Sequence, residues 1–473
     1  MARYPSCPLP APQATESYWM SQADDRLKDY NSADRLPTDA DTVIIGSGVT
    51  GVLIAQELLS RAAATDSRRH DGLVMLEARA FCSGASGRNG GHIKPDCYKH
   101  FLEFQARYGT DEAVRLCRFE VDNMRATVAF IRGQRLADVC DLVKTRAVDF
   151  FMTPEAWAAA RESIAAYREA VGEELPDIHL HEQPDLSREG FRFPGALGAV
   201  SYPACSLWPY KLVAGLANRA VDAGMQLFTH TPALSVTPAA PAADGSPRWR
   251  VDTPRGTICC ANVFHATNGY VSHLLPGFSA KIVPLKGNVV ALPPPRPYVD
   301  RTLGHTASIQ WGEDFDYMIQ REVDGKHLIF GGRDLAHPRG CTAPIGDWDD
   351  STTTPDIVRS LTEFPETHMM GWTGAGPPCY AWSGIMGLTP DELPYVGAVP
   401  DCAGQWVAAG YSGHGMARAF MTVQALIQLF ARGDVDLRVP AEYFKIAERL
   451  VRKDDEWDQI LERNLEANPP PVV

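Results

Sequence analysis

The apolar positions near the start of the chain form two short runs separated by a segment of helical periodicity. Thr42–Ile45 is a mostly apolar run, which is typical of a strand buried in a parallel sheet. In residues 50–62 the apolar positions fall largely on one helical face: Val52, Leu53, Ala55, Leu58 and Leu59. Leu73–Leu76 is a second apolar run. The pattern therefore predicts a strand, a helix and a second strand that form a βαβ unit of ordinary length.

The pattern over the rest of the chain predicts both helices and strands. Residues 1–40 are polar and contain several prolines, so we expect them to wrap the surface. The further predicted elements are a mainly helical stretch over 101–175, a helix over 212–223 ended by Gly224, a strand over 225–228, a meander of strands over 233–236, 249–253 and 257–266, a strand-rich stretch over 282–335, and a helix over 416–431.

Length and charge narrow the classes of protein that the chain can be. A chain of 473 residues favours two domains, and 45% hydrophobic residues allow a core large enough to enclose a ligand. The net charge of −13 disfavours a nucleic-acid or anionic-membrane partner and is compatible with a cationic substrate. The odd number of cysteines, 11, suggests reduced thiols. With no signal-like start and no apolar run near ~20 residues, we expect a cytoplasmic enzyme.

The glycine-rich turn between the first predicted strand and helix carries the clearest chemical signal. Its six residues are Gly46, Ser47, Gly48, Val49, Thr50 and Gly51. The first glycine allows a tight turn, the second lets a pyrophosphate approach the backbone, and the third lets helix and strand pack closely. The helix start then offers free N–H groups to a phosphate. The turn therefore predicts a dinucleotide site.

An acidic residue at the end of the second strand refines that prediction. Glu77 can accept hydrogen bonds from both ribose hydroxyls, and its charge disfavours the 2′-phosphate of NADP. Its distance from Gly51 exceeds the usual spacing of about 20 residues, and the polar insertion over 65–71 accounts for the excess.

A second loop rich in small residues distinguishes FAD from NAD. Residues 83–91 follow the second strand, and such a loop can run beside an extended cofactor from the pyrophosphate to the flavin ring. A simple NAD domain has no need of it. The predicted cofactor residues in this part of the chain are Glu77, Ala78, Arg79, Ser83, Ser86, Gly87, Arg88, Asn89, Gly90, Gly91 and His92.

Seven segments in order resemble the superfamily of D-amino acid, glycine and sarcosine oxidases. The resemblance extends over roughly residues 17–432 and is closest to the branch of γ-glutamylputrescine-oxidoreductase-like proteins. The segments are Ala40–Gly46, Ser86–His92, Trp208–Ala217, His265–Tyr270, Val283–Gly287, Leu388–Gly397 and Gly410–Phe420. Individually several are weak, and their order and spacing make the resemblance specific.

The resemblance implies an α/β fold of two interlocked domains. One is a Rossmann-type FAD-binding domain of the glutathione-reductase-2-like kind, and the other is an α+β substrate domain whose twisted mixed sheet covers the flavin. We expect the FAD-binding domain to comprise residues 1–100, 200–282 and 375–473, and the substrate domain residues 101–199 and 283–374.

The resemblance also implies how the chain closes around the flavin. The helix start in the last loop would stabilise negative charge on the reduced ring. The additional cofactor residues are Val236, Thr267, Asn268, Gly410, Gly413, His414, Gly415 and Met416. Gly384 and Arg88 occupy the positions at which some relatives attach the flavin covalently, so we expect non-covalent FAD. His92 and Cys379 lie near these positions and leave covalent attachment open.

The substrate side departs from the glycine oxidase pattern at one position. The arginine that binds the substrate carboxylate in glycine oxidases aligns with Met386. Losing a bidentate carboxylate partner favours an amine without that carboxylate. Arg321, Arg333 and Lys286 are basic residues that could replace the arginine.

The implied chemistry is hydride transfer from the α-carbon of a neutral amine to flavin N5, followed by hydrolysis of the imine. The candidate aromatic walls are Tyr317, Trp382 and Tyr380, while His92 and His414 could tune or orient the flavin. Sarcosine oxidases use a lysine to activate oxygen, for which Lys286 is the nearest candidate, and we expect O₂ as the acceptor.

Several alternatives stay open at this stage. They are a D-amino acid or N-methyl amino acid oxidase or dehydrogenase, a flavin monooxygenase, and a flavoprotein without turnover. We expect a monomer or a homodimer, with no metal, nucleic acid or membrane partner.

Overall fold

Two β-sheets organise the fold, and the chain passes between them several times. The computed structural model describes residues 4–24, 26–64, 72–172, 177–183, 190–312, 315–433, 438–452 and 457. The strands are, in chain order, β1 (Asp39–Ile45), β2 (Leu73–Leu76), β3 (His92–Ile93), β4 (Val143–Phe151), β5 (His179–Glu182), β6 (Gly198–Ser206), β7 (Gln226–Phe228), β8 (Ser235–Pro238), β9 (Trp249–Thr253), β10 (Gly256–His265), β11 (Val283–Leu292), β12 (Thr306–Gln310), β13 (Phe315–Gln320), β14 (Leu328–Gly331), β15 (Tyr380–Leu388), β16 (Tyr395–Ala398) and β17 (Gln405–Ala409).

The helices cover the two sheets. They are α1 (Val49–Ala64), α2 (Phe101–Tyr108), α3 (Thr110–Gly133), α4 (Pro154–Val171), α5 (Pro209–Asp222), α6 (Arg296–Asp300), α7 (Pro355–His368), α8 (Gly415–Arg432) and α9 (Ile446–Leu450). Short 3₁₀ turns lie at Tyr18–Met20, Ala85–Gly87, Asn268–His273, Pro276–Phe278, Asp324–Lys326, Asp334–Ala336 and Ala441–Phe444.

The first sheet has a parallel centre. Its strand order is β16-β17-β10-β1-β2-β7, with β9 pairing both β10 and β8. In this register Ile45 lies opposite both Leu76 and His265, so β1, β2 and β10 end level. The turns that follow these strands therefore meet at one edge, which is where parallel α/β sheets bind ligands.

Helix α1 packs against both α5 and α8. Val52, Leu53, Ala55 and Leu59 of α1 are buried, as the helical periodicity predicts, and Leu58 is partly buried; Ile54, outside the predicted face, is buried too. Helix α8 ends at Gly433, whose φ of 78° is the left-handed conformation of a common helix C-terminus. The βαβ unit predicted from the hydrophobic pattern is thus present; β2 has the expected bounds, β1 begins three residues earlier, and α1 is one residue longer at its start and two at its end.

The second sheet is mixed and strongly curved across the cavity described below. Its strand order is β15-β11-β14-β13-β12-β4-β6-β3, with β5 pairing β6. Strands β4 and β12 run parallel, and the other neighbours are antiparallel. The architecture agrees with the predicted fold class.

Two features of the sequence prediction differ from the structure. Residues 101–175 were expected to be mainly helical, but Val143–Phe151 forms β4, whose last five residues are buried and give no simple alternation. Strands β6 and β15 hydrogen-bond within the second sheet, although residues 200–282 and 375–473 were assigned to the FAD-binding domain. The domain boundaries as such remain a prediction.

None of the helices in the described part of the chain combines the length and hydropathy that a bilayer crossing demands. Among the described residues, no group of three or more His, Cys, Asp or Glu side chains could hold a metal ion.

Candidate active site

A cavity of about 810 Å³ lies where the turns of the first sheet face the second sheet. The turns after β1, β2 and β10 form one side of it, and residues of β11, β13 and β15 form the other. Such a volume is in the range of small-molecule and cofactor sites. The long shape of the lining, from the first glycine turn to the second sheet, suits an extended ligand.

The Gly46–Gly51 turn has the close contacts that its glycines imply. Gly46 has φ of 109°, and a Cβ there would lie 2.7 Å from the Ala266 carbonyl oxygen. A Cβ on Gly51 would overlap the Gly46 carbonyl oxygen, so the turn and the first turn of α1 can only pack with glycine at this position.

Glu77 connects this turn to the end of β2. One carboxylate oxygen accepts hydrogen bonds from the Ser47 backbone N–H (3.1 Å) and the Ser47 hydroxyl (2.7 Å). The other oxygen accepts from the Arg79 backbone N–H (3.0 Å). The residue lines the cavity, as the ribose-binding prediction requires, and it also orders two cofactor loops.

The loop over 83–91 is fixed by a buried arginine. The Arg88 guanidinium donates to the carbonyl oxygens of Ser83 (2.7 Å) and Ser383 (2.8 Å) and lies 3.6 Å from Asp350. Asp350 also receives two hydrogen bonds from Arg79 (2.8 and 3.0 Å). Burial lowers the pKa of Arg88 to about 10, so its charge persists at neutral pH. Sequence reasoning missed Asp350, because only the fold brings this loop residue to the two arginines.

The last predicted cofactor loop is positioned by Asn268. Its side-chain oxygen accepts from the backbone N–H groups of Gly410 (3.0 Å) and Tyr411 (3.3 Å). Helix α8 then starts at the cavity, and no side chain caps its N-terminus. The positive end of this 18-residue helix therefore faces the cavity. Glu120 Oε2 lies 3.3 Å from His414 Nδ1. The sequence analysis did not identify Glu120.

Most predicted cofactor residues line the cavity, and a few lie behind its wall. The lining includes Gly46, Ser47, Gly48, Val49, Thr50, Glu77, Ala78, Arg79, Ser86, Arg88, Asn89, Gly90, His92, Thr267, Asn268, Gly413, His414, Gly415 and Met416. The residues behind the wall are Gly51, Ser83, Gly87, Gly91 and Gly410. Val236 is not part of the lining; it lies in β8 and pairs with Val251 of β9, and Ala233 lines the cavity instead.

Tyr317 and His92 form a corner of the cavity on the side of the second sheet. Their rings meet edge to face with centroids 5.6 Å apart. The Tyr317 ring sits against Gly90, where a Cβ would come within 2.7 Å of Cε2. Burial lowers the pKa of His92 to about 3, with Lys94 contributing, and burial raises the pKa of Tyr317. Both side chains are therefore neutral at physiological pH, which makes His92 a weak base.

Two of the predicted catalytic residues do not line the cavity. Along β11 the lining residues are Leu285, Gly287 and Val289, so Lys286 points to the opposite face, where its Nζ lies 3.2 Å from Thr352 Oγ1. Trp382 is fully buried and donates from Nε1 to the Arg88 carbonyl oxygen (2.8 Å), so it supports the loop from behind.

Of the other substrate-site residues that the sequence predicted, some line the cavity and some do not. Met386 lines the cavity, whereas Tyr380 does not. Arg321 pairs with Asp141 (2.8 Å), and Arg333 pairs with Asp316 (3.1 Å), both away from the cavity. Neither arginine can therefore replace the carboxylate-binding residue.

Lys94 and Lys99 are cations of the cavity wall that the sequence prediction missed. Lys94 Nζ lies 2.7 Å from Asp149 Oδ1 and 2.7 Å from Ser308 Oγ, and Lys99 Nζ lies 3.5 Å from Asp149 Oδ2. Burial would raise the pKa of Asp149, but the two lysines outweigh it and hold that pKa at about 2. Burial lowers the pKa of Lys94 to about 8. Lys94 follows the predicted cofactor residue His92 by only two positions. This closeness in the sequence was the signal that could have identified Lys94 as a residue of the site.

The residues present fit an FAD molecule. Among the buried polar atoms of cavity-lining residues, Arg79 Nε, Thr267 Oγ1 and His273 Nε2 have no hydrogen-bond partner in the described protein. Buried polar atoms are rarely left unpaired, so a polar ligand is expected to meet them. The family model described as "FAD dependent oxidoreductase" (DAO) matches residues 41–429.

The chain belongs to the DAO family of FAD-dependent oxidoreductases. FAD is thus its cofactor and supplies a hydride acceptor when bound. The chain is 26% identical over 405 residues to a probable oxidoreductase OrdL of Rhizobium meliloti, covering 80% of this chain and 79% of that protein. It is 24% identical over 406 residues to a glycine oxidase of Geobacillus kaustophilus, covering 83% and 93%.

Solved structures of the DAO family have the same fold. The crystal structure of glycine oxidase from Geobacillus kaustophilus superposes with a TM-score of 0.68 at 23% identity, covering 86% of this chain and 98% of that one. An L-amino acid deaminase from Proteus vulgaris gives a TM-score of 0.68 at 15% identity, covering 93% and 100%.

Proposed function

We propose that this protein oxidises a C–N bond of a primary or secondary amine that lacks an α-carboxylate. The amine carbon would transfer a hydride to FAD, and water would hydrolyse the resulting imine. Similarity to a glycine oxidase and to L-amino acid deaminases supports an amino compound as the substrate. Residues of the second sheet support an amine rather than an amino acid as the substrate.

Met386 is the observation that carries the proposal. It lines the cavity at the position where the resemblance implies a carboxylate-binding arginine. Its Sδ lies 3.4 Å from the point that a Cβ on Gly413 would occupy, so the thioether packs against the last cofactor loop. A thioether gives an apolar surface and cannot bind a carboxylate.

Several further residues of the wall suit the oxidation of a neutral amine. Tyr317, Phe151 and Phe315 contribute aromatic surface to the cavity, and His92 is neutral. These groups can hold the reacting carbon in place without adding a negative charge that would favour the ammonium form. The uncapped start of α8 stabilises negative charge near the cavity, which a reduced flavin would carry.

A second candidate is the oxidation of an amino acid. Lys94 and Lys99 line the same cavity, and a lysine can attract a carboxylate. Against this candidate, Lys94 Nζ already contacts Asp149 and Ser308.

Anaerobic reduction of the bound flavin separates the two candidates. The purified protein would be mixed with matched pairs of an amine and the corresponding α-amino acid, and flavin absorbance would be followed. We expect amines to bleach the flavin faster than their carboxylated partners. Faster bleaching by the amino acids would support the second candidate, and bleaching by NAD(P)H alone would contradict both.

The oxidant of the reduced flavin is proposed to be O₂. Lys286, the predicted oxygen-activating residue, does not line the cavity, so the proposal rests on the resemblance to oxidases. Oxygen consumption during amine turnover tests it, and reoxidation only by an added electron carrier would favour a dehydrogenase.

A further inference from the structure

The first described residues of the chain form part of the cofactor cavity. Residues 6–19, here called the N-terminal strap, precede β1 and lie outside the family match over 41–429. Pro8, Leu9 and Pro10 of the strap line the cavity. The expectation that residues 1–40 only wrap the surface therefore misses their position at the ligand site.

One end of the strap is attached beside the turn that follows β10. The Cys7 backbone N–H donates to Ser272 Oγ (2.8 Å), and the hydroxyls of Ser6 and Ser279 are 2.8 Å apart. The Cys7 backbone also hydrogen-bonds His273, whose Nε2 is buried without a partner in the described protein.

The other end is attached to the two arginines of the first cofactor loops. Arg79 donates to the Ala11 carbonyl oxygen (3.2 Å), and Arg88 donates to the Thr15 carbonyl oxygen (2.5 Å). The Thr15 backbone N–H donates to the Asp350 carbonyl oxygen (2.8 Å). The strap is thus tied to the turn after β10 and to the loops after β2.

The three cavity-lining residues lie between these attachments. The Cys7 N–H is hydrogen-bonded to Ser272. The Ala11 carbonyl oxygen is hydrogen-bonded to Arg79, which lies two residues after Glu77. The strap therefore reaches the part of the cavity next to the predicted ribose-binding carboxylate. Two prolines around a leucine give an apolar surface with little backbone freedom to lose on binding.

We propose that Pro8, Leu9 and Pro10 bind the adenylate half of FAD and complete its site. Their apolar surface would cover the adenine ring, and the unpaired Nε atoms of His273 and Arg79 would meet the polar atoms of the same half. The strap is then a cofactor-binding element that this chain carries in addition to the matched family region.

The test compares the full-length holoenzyme with a Pro8→Gly/Leu9→Gly/Pro10→Gly variant. FAD release after dilution would be followed by the rise in flavin fluorescence. We expect release to be faster by about tenfold, the effect of losing the contact of one apolar side chain. The Leu9→Ala variant gives a milder change, which keeps the test informative if the triple variant folds poorly. Pro12→Gly, at an exposed position of the strap, is the matched control and should release FAD at the wild-type rate.

A second measurement identifies which half of the cofactor is affected. The deflavinated full-length proteins would be titrated with FAD and with FMN, which lacks the adenylate. The variant should lose affinity for FAD and keep the wild-type affinity for FMN. Unchanged FAD release would overturn the proposal, as would an equal loss for both flavins. Neither readout involves an amine, so the result is independent of the proposed reaction.

Discussion

Lys94 Nζ lies 2.7 Å from Asp149 Oδ1, and this ion pair stands in the wall of the cavity between the two sheets. The Asp149 carboxylate has no exposed surface and also accepts hydrogen bonds from the hydroxyls of Tyr98 (3.0 Å) and Tyr202 (2.9 Å). It therefore connects Lys94, Tyr98 and Lys99, which are close together in the chain, with Tyr202 and Ser308 from two other segments. Its removal affects both stability and the shape of the site.

We predict that Asp149→Asn destabilises the protein strongly. The two lysines would lose their shared carboxylate, and breaking a buried pair in this way costs about 3–5 kcal/mol. Urea unfolding of the holoenzyme measures the change in the free energy of unfolding. The Lys94→Met/Asp149→Leu variant should recover part of the loss, and Asp244→Asn, at an exposed site, should be neutral. A single variant as stable as wild type would contradict the prediction.

We predict a pH dependence of ligand affinity that differs between the two candidate substrate classes. Burial lowers the pKa of Lys94 to about 8, so its positive charge is present below pH 8 and is lost above it. A ligand with a carboxylate should therefore bind more weakly as pH rises through 8, whereas a carboxylate-free amine should not weaken for this reason. Binding titrations of both ligand types across this range, repeated on Lys94→Met, check the assignment. A transition that persists in Lys94→Met belongs to another group.

We predict that Gly90→Ala disturbs the Tyr317 ring and slows flavin reduction by substrate. The new Cβ would lie 2.7 Å from Tyr317 Cε2, so the ring must move, and a misplacement of about 1 Å can reduce the rate by as much as about 100-fold. Rapid-mixing kinetics under anaerobic conditions measure the rate. Gly84→Ala in the same loop is the control, because its Cβ would meet nothing within 4 Å. Equal rates in both variants would exclude a positioning role for Tyr317.

We predict that Glu77→Ala loses FAD and that Glu77→Gln loses less. Alanine leaves the N–H groups of Ser47 and Arg79 without their acceptor, while glutamine keeps one oxygen. Hydrogen bonds to charged groups contribute about 1.5–3 kcal/mol each, so FAD affinity should fall at least about tenfold in the alanine variant. Flavin content after dialysis measures the effect, and full occupancy of Glu77→Ala would count against the ribose-binding role.

We predict that the flavin is bound without a covalent link. Gly384 and Arg88 occupy the two positions that carry the flavin covalently in some relatives. They are neighbours here, because a Cβ on Gly384 would lie 3.0 Å from Arg88 Cβ. Neither side chain can form a covalent bond to the flavin. Cys379 does not line the cavity, and His92 does. Acid precipitation should release all of the flavin into the supernatant, and a yellow pellet would point to His92.

The sequence predicted those features of the fold and the site that depend on residues close together in the chain. The turn at Gly46 and the carboxylate at Glu77 follow from a strand, a helix start and a second strand, which are contiguous in the chain. The Lys94–Asp149 pair could not be predicted, because it requires the order of β3, β6 and β4 in the second sheet. Lys286 was named as the nearest candidate lysine from its motif alone, and the motif does not show which of two adjacent strand residues faces the cavity.

The pairing of β1 with β10 has a consequence for synthesis of the chain. Ile45 lies opposite His265, so the edge that is predicted to bind the pyrophosphate lacks one of its strands until His265 has left the ribosome. At ordinary rates of translation this takes roughly 10–40 s after Ile45 is made. The loop before α8 is made later still. We therefore expect that a nascent chain ending before this loop does not retain FAD, which would make cofactor capture one of the last events in the maturation of this enzyme.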